Sequence, residues 1–299
     1  MPPEPAPTQP PDIYTTIRYS NSQLTTQVSK QTQARLTTAA TFFETRPHFL
    51  YSASSLRNHP FNEHIPEVVI LGASNVGKSS FINALVGKPE IARVSAKPGR
   101  TTVMNAFGVG PPPHVAKKLI SKGTRAPKES LILMDTPGYG FKSQSSWGET
   151  IVKYLGARKM LRGAVVLLSS EKKLLPDDRW LLEQLADANT RTAVVLTKAD
   201  KGKKDWVTNC TQRAEAITKE LRSIGRWNKG AEAWSPEIYV TAAGVVNASR
   251  IGNKAGLGGV RAAILEMAGF DVKEDVTKQD EAISYMGNIV SFDDIKWKT

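Results

Sequence analysis

From residue 61 onward, short apolar runs alternate with stretches in which apolar residues recur every three or four positions. The runs near 67–71, 102–109, 131–135, 163–169, 192–197 and 237–241 are apolar on successive residues and too short for helices. That is the pattern of strands buried on both faces. Between them the spacing predicts helices near 78–86, 147–160, 177–188, 205–223 and 258–268. Leu181, Leu182 and Leu185 stripe one of these, and Val260, Ile264 and Met267 another. Strands alternating with helices imply an α/β fold of three layers, a mostly parallel six-stranded sheet with helices on both faces. No internal repeat is visible.

The flanks read differently. Residues 1–60 open on MPPEPAPTQPPD and continue rich in Thr, Ser and Gln, with Arg18, Lys30, Arg35 and Arg46 opposed by Glu44 over 13–46. This composition predicts a disordered or transit-like segment, which would address the chain to an organelle. Glu4, Asp12 and the early prolines weigh against a targeting helix at the extreme N-terminus. Residues 61–269 form the predicted domain. Within them 111–130 reads as a basic surface insertion, either an RNA-binding arm or a solvated loop, opened by Pro111-Pro112-Pro113. Residues 270–299 read as an acidic, weakly structured tail.

The net charge of +12 divides unevenly: +2 in 1–60 and −3 in 270–299, which leaves +13 on the domain. A basic domain of that size suggests an anionic partner larger than a nucleotide, with RNA the first candidate. No apolar run approaches the roughly 18 residues of a membrane span, so stable membrane insertion is not expected. Cys210 is the only cysteine and falls on one helical face with Trp206, Ala214, Ile217 and Leu221, a core position rather than a redox site. The four histidines show no metal-ligand spacing.

The chemistry starts at Gly72-Ala73-Ser74-Asn75-Val76-Gly77-Lys78-Ser79, which leaves one apolar strand and enters a helix. Gly72 and Gly77 allow the backbone to curl, so that consecutive N–H groups face phosphate oxygens, and the helix N-terminus adds positive potential. Lys78 supplies a cation for the outer phosphates, and the Ser79 hydroxyl can reach Mg²⁺. Asp135-Thr136-Pro137-Gly138 follows a second strand. A carboxylate there can hold a Mg²⁺-bound water, and the Gly138 N–H can bond a γ-phosphate and release it on hydrolysis. Thr197-Lys198-Ala199-Asp200 ends a third strand. Asp200 can accept the N1 and N2 hydrogens of guanine, a pair that adenine does not offer, while the Lys198 stem covers the base. Thr241-Ala242-Ala243 sits where a backbone N–H would meet the guanine O6.

In order, these residues resemble the GTPase superfamily that groups TrmE, Era, EngA, EngB and septin-like proteins, and within it the EngB (YihA/YsxC) family of ribosome-assembly GTPases. The resemblance spans about 61–268. It rests on Ser-Asn-Val-Gly-Lys-Ser-Ser at 74–80, Pro98-Gly99-Arg100-Thr101, Pro-Gly-Tyr-Gly at 137–140, and Thr-Lys-Ala-Asp at 197–200 in place of the commoner Asn-Lys-x-Asp. Where the family shows Asp-x-Arg after the fourth strand, this chain has Ser169-Ser170-Glu171.

The resemblance implies a P-loop GTPase G domain that binds GTP and GDP with Mg²⁺. It implies nucleotide contacts from Ser74, Asn75, Val76, Gly77, Lys78, Ser79 and Ser80, and from the switch residues Pro98 to Thr101. Lys78, Thr101 and Gly138 carry the catalytic roles, and the metal is held by Ser79 and Thr101, with Asp135 acting through water. Tyr139 stands where many GTPases place a water-orienting glutamine, so hydrolysis by the isolated chain is expected to be slow. An activating protein or a K⁺ ion beside Asn75 would then supply the missing charge, with Arg100 a second source. The implied role is a checkpoint in large ribosomal subunit maturation through rRNA, and the transit-like N-terminus points to mitochondria, a cytoplasmic site being the alternative. Two other readings stand beside it. One is a regulatory GTPase acting on a protein or membrane without RNA. The other is a small-molecule kinase, for which Asp200 would have no use.

Overall fold

The computed structural model describes residues 15–93, 103–113, 126–140, 145–224, 234–242 and 255–272. Its centre is a set of five strands, all but fully buried along the middle: β4 (Glu67–Gly72), β6 (Leu131–Asp135), β7 (Leu161–Ser169), β8 (Thr192–Thr197) and β9 (Trp234–Val240). They pair in parallel in the order β6-β4-β7-β8-β9. Alternate residues of one strand serve opposite faces: Val69 and Leu71 join one core cluster, Val68 and Ile70 the other. Both faces are covered, which is why these strands read as continuous apolar runs. Helices α3 (Ser145–Ala157), α4 (Pro176–Asp187) and α5 (Trp206–Ser223) cover the first face, and α2 (Lys78–Leu85) and α6 (Leu257–Ala268) the second. The expected three-layer arrangement is the one found.

The sheet is wider than the sequence implies. Among the described residues it has nine strands, in the order β2-β1-β9-β8-β7-β4-β6-β5-β3. β5 (Met104–Val109) runs antiparallel to β6, as the sixth expected strand. The other three come from the segment expected to be disordered or transit-like. β1 (Arg18–Ser20) pairs antiparallel with β9 and carries β2 (Gln23–Thr25), while β3 (His48–Ala53) pairs antiparallel with β5 at the far edge. Between them α1 (Lys30–Glu44) lies on α6, its Ser29 cap accepting the Thr32 N–H at 3.0 Å. The expectation of disorder for 1–60 therefore fails over 15–60, and residues 1–14 lie outside the described residues. The physical reason is that five buried positions (Leu36, Ala39, Ala40, Phe42 and Phe43) anchor α1 in an otherwise polar stretch. Their stability comes from docking onto the domain, which composition does not register.

Smaller corrections follow the same logic. The helix expected from 205 is preceded by a 3₁₀ turn over Ala199–Asp205. The expected weakly structured tail begins with Phe270 and Val272 still in the core, Phe270 stacking edgewise on Phe42 at 5.0 Å. Residues 273–299 and 114–125 of the insertion lie outside the described residues. Cys210 is buried, and burial pushes its thiol up to about 12, in keeping with a core position.

Candidate functional site

Three loops leave the C-terminal ends of β4, β6 and β8, and hydrogen bonds tie them together. The first curls from Gly72 to Gly77, with Asn75 at φ 62° and Gly77 at φ 105° as the residue capping α2. Ser79 and Ser80, half-buried, lie in the first turn of α2. Lys78 is buried and folds back, Nζ donating to the Gly72 carbonyl at 2.8 Å and the Ala73 carbonyl at 3.0 Å. Burial draws its pKa down to about 8, against the opposing pull of Asp135.

Asp135 ends β6 with 2% exposure, and its Oδ1 has no hydrogen-bond partner among the described residues. Burial raises its pKa to about 6, while Lys78 and the Thr136 N–H act the other way. Thr136 Oγ1 donates to the Ile70 carbonyl at 2.8 Å and so fixes the turn that follows. That turn lies on the phosphate loop: the Ser74 N–H donates to the Tyr139 carbonyl at 2.8 Å and the Ser74 hydroxyl to the Gly138 carbonyl at 3.1 Å. A Cβ on Gly138 would stand 2.6 Å from Ser74 Cα and 2.8 Å from Lys78 Nζ, so no larger residue fits.

The third loop meets the first at two points. Thr197 Oγ1 donates to the Val76 carbonyl at 2.8 Å, and Lys198 Nζ to the Asn75 carbonyl at 2.7 Å. Lys198 holds φ 60°, which turns the chain into the 3₁₀ segment carrying Asp200. Asp200 is half-buried, and its carboxylate has no hydrogen-bond partner among the described residues. The strand-end at Thr241 joins the same assembly. Its N–H donates to the Leu196 carbonyl at 2.8 Å and its carbonyl accepts the Ala199 N–H at 3.2 Å. Ala242 is buried and pairs with Ala255.

Of the residues singled out from sequence, Ser74 to Ser80, Asp135, Gly138, Thr197, Lys198, Asp200, Thr241 and Ala242 thus gather at one end of the sheet. Pro98, Gly99, Arg100, Thr101 and Ala243 lie outside the described residues. For two further residues, Tyr139 and Ser170, the bonding partners carry no local signal in the sequence. Tyr139 lies against the phosphate loop, its hydroxyl bonded to the Ala73 main chain and donating to Asp178 Oδ1 at 2.5 Å, while its ring stands 5.2 Å from Trp147. Ser170, within the departure from the Asp-x-Arg pattern, donates to the Lys198 carbonyl at 3.0 Å and steadies the third loop. Only the Pro-Asp-Asp start of α4 hinted at Asp178, and it reads as a helix cap.

Residues 67–198 match the family described as "50S ribosome-binding GTPase". The chain is 33% identical over 193 residues to "Probable GTP-binding protein EngB" of Chlorobium luteolum, covering 60% of this chain and 84% of that one. It is 35% identical over 175 residues to the protein of the same name from Rhodospirillum rubrum, covering 57% of this chain and 70% of that one. The solved "Crystal structure of a probable GTP-binding protein engB" superposes with a TM-score of 0.43 at 17% identity, over 68% of this chain and 98% of that one. The phosphate loop, the buried lysine and aspartate, and the relatives that share most of their length with it together place this chain in the EngB family of GTP-binding proteins, as a P-loop GTPase.

Proposed function

We propose that this GTPase acts as a switch in assembly of the large ribosomal subunit, through rRNA, and that it does so in mitochondria. The observation that carries the reading is the bonded set of three loops with a buried Lys78 and Asp135 at one end and an unengaged Asp200 at the other. In this reading the main-chain amides of 74–79 and Lys78 bind the phosphates, and the switch residues Pro98, Gly99 and Arg100 contribute further nucleotide contacts. Asp200 reads N1 and N2 of guanine, Lys198 covers the base, and Thr241, Ala242 and Ala243 face O6. The partnerless, buried oxygen of Asp135, close to the start of α2, fits a divalent cation. Ser79 and Thr101 would hold Mg²⁺ directly and Asp135 through water. When bound, Mg²⁺ offsets charge on the β- and γ-oxygens of the nucleotide. Gly138 would offer its N–H to the γ-phosphate.

Tyr139 is committed to Asp178 and does not orient a water, which supports slow hydrolysis without help. Asn75 is exposed at the crest of the phosphate loop, where a K⁺ ion or an activating protein would add the missing charge. Turnover in KCl against NaCl tests the ion: a faster rate in KCl that Asn75→Ala abolishes supports it, and equal rates remove it.

The charge of +13 on 61–269 supports an RNA partner. So does a groove of about 730 Å³ between α4 and α5, which opens beside Ser74 and Asn75 and is rimmed by Lys172, Lys173, Arg213 and Lys219. The family description, ribosome-binding, supports the large subunit. Sedimentation of tagged protein from mitochondrial and cytosolic extracts, with a non-hydrolysable GTP analogue or with GDP, tests the whole. Salt-sensitive co-migration with large-subunit particles in the analogue alone is expected. Migration free of ribosomal particles in both states would favour a protein or membrane target.

A further inference from the structure

The segment expected to lie outside the fold bonds to the end of β9 and to the start of α6. Helix α6 begins after Gly256, which caps it at φ 77° and has no side chain to offer the first N–H groups of the helix. The first turn of any helix leaves such groups without intrahelical partners. Here they are satisfied from the other end of the chain. The Gly256 N–H donates to Thr15 Oγ1 at 3.1 Å, and the Gly259 N–H donates to the Thr15 carbonyl at 3.2 Å. On the incoming side, the Val240 N–H donates to the Ile17 carbonyl at 2.8 Å. Residues 15–17 therefore grip both the strand that leads into the 241–256 connection and the helix that leads out of it.

The grip is close. A Cβ on Gly256 would fall 2.0 Å from the Val240 carbonyl oxygen, and one on Gly259 would fall 2.1 Å from Thr16 Oγ1. Thr16 is 2% exposed, seated between α6 and the sheet. Inside this frame, Thr241 and Ala242 hold the position assigned to the guanine O6 contact, and Ala199 of the Asp200 loop bonds the Thr241 carbonyl.

We propose that Thr15 to Ile17 form a strap that positions the base-recognition backbone and so sets how long a guanine nucleotide stays bound. The inference rests on the reading of Asp200, Thr241 and Ala242 as guanine contacts. Thr15 and Thr16 act through the loop and touch no nucleotide, so they are positioning residues. The strap also bounds N-terminal processing, because a cut beyond residue 14 removes it.

Two full-length variants test the strap. Thr15→Ala deletes the acceptor for Gly256. Gly259→Ala pushes Thr16 off α6 while adding a better helix former, so loss of the helix does not confound it. The readouts are the dissociation rate of fluorescent GDP, the affinity for tripolyphosphate, and the preference for GTP over the triphosphate of 2,6-diaminopurine riboside, which lacks both O6 and the N1 hydrogen and so tests the Thr241 and Asp200 contacts together. Each variant should release GDP about 3- to 10-fold faster, the equivalent of one lost hydrogen bond, and lose preference against the diaminopurine nucleotide. Tripolyphosphate affinity should not change. Wild-type release rates in both variants, or equal weakening of GDP and tripolyphosphate, would overturn the strap. A wild-type protein without preference for GTP over the diaminopurine nucleotide would instead overturn the assignment of the base contacts beneath it.

Discussion

The Tyr139 hydroxyl donates to Asp178 Oδ1 at 2.5 Å, and the other oxygen of that carboxylate accepts the Leu175 N–H at 2.8 Å. One buried carboxylate thus fastens the loop after β6 to the start of α4. Burial and the neighbouring carboxylate hold the phenol well above its ordinary pKa, so it remains a donor across the physiological range. Because the side chain is spent on this bond, Tyr139→Phe should leave single-turnover GTP hydrolysis within about twofold of wild type. It should lower unfolding free energy by about 1–3 kcal/mol, the cost of leaving a buried acceptor unpaired. Denaturant unfolding beside single-turnover kinetics checks both. A loss of hydrolysis of about 100-fold would mean that Tyr139 swings to the phosphates during the reaction.

Threonine in place of asparagine at 197 follows from the same kind of accounting. The hydroxyl reaches the Val76 carbonyl, and Lys198 reaches that of Asn75, so two side chains brace the phosphate loop from the base side. Thr197→Ala and Lys198→Ala should each weaken GDP binding by about 5- to 20-fold, which corresponds to about 1–2 kcal/mol for a lost, partly buried bond. The double variant should weaken binding by less than the product of the two, because both bonds hold one loop. Calorimetric titration of the set measures this.

Asp135 makes stability depend on pH in a direction opposite to that of a salt-bridged carboxylate. Its folded pKa of about 6 lies above the ordinary 3.8, so the nucleotide-free fold takes up a proton that the unfolded chain has lost. The penalty is fully present above pH 6 and fades as pH falls toward 4; at two units it is on the order of 2–3 kcal/mol. Nucleotide-free Asp135→Asn should therefore melt above wild type at pH 7.5, and the gap should close near pH 4.5. Thermal melts with Mg²⁺ and GDP should reverse the order, since the variant would lose the proposed water-held metal contact. A variant that melts below wild type at pH 7.5 without nucleotide would show that the pairing with Lys78 outweighs burial.

How far the sequence reached depended on how local the information was. The phosphate loop, Asp135 and Asp200 were legible because each is a few adjacent residues whose chemistry is fixed by their position after an apolar strand. The five parallel strands were legible because burial on both faces leaves an unbroken apolar run. The edges of the sheet were not. β1 and β3 are held by main-chain bonds to β9 and β5, and such bonds leave no trace in side-chain composition. Tyr139 could be read as unsuited to orient water, but not as bonded to Asp178, because that partner lies 39 residues on and in another element. The long contacts of Thr15 with Gly256 and Gly259 were beyond reach for the same reason.

In the proposed reading base choice rests on one carboxylate, and exchanging it would reverse the hydrogen-bond pattern rather than merely weaken it. Asp200 would accept from two donors on guanine; an asparagine there offers one acceptor and a pair of donors. Xanthine carries a carbonyl at C2 where guanine carries an amine, so the amide of Asp200→Asn pairs with it while facing guanine with donor against donor. A site built to pair such groups discriminates strongly when one is left unmatched. GTP affinity of the variant should fall by about 100-fold or more, and xanthosine triphosphate should bind at least about 10-fold better than it binds wild type. Because Asp200 is half-buried and its carboxylate has no hydrogen-bond partner among the described residues, the substitution should shift the melting temperature of the nucleotide-free protein by no more than about 2 °C. Unchanged GTP binding in a variant that is folded by this measure would place base recognition elsewhere on the chain.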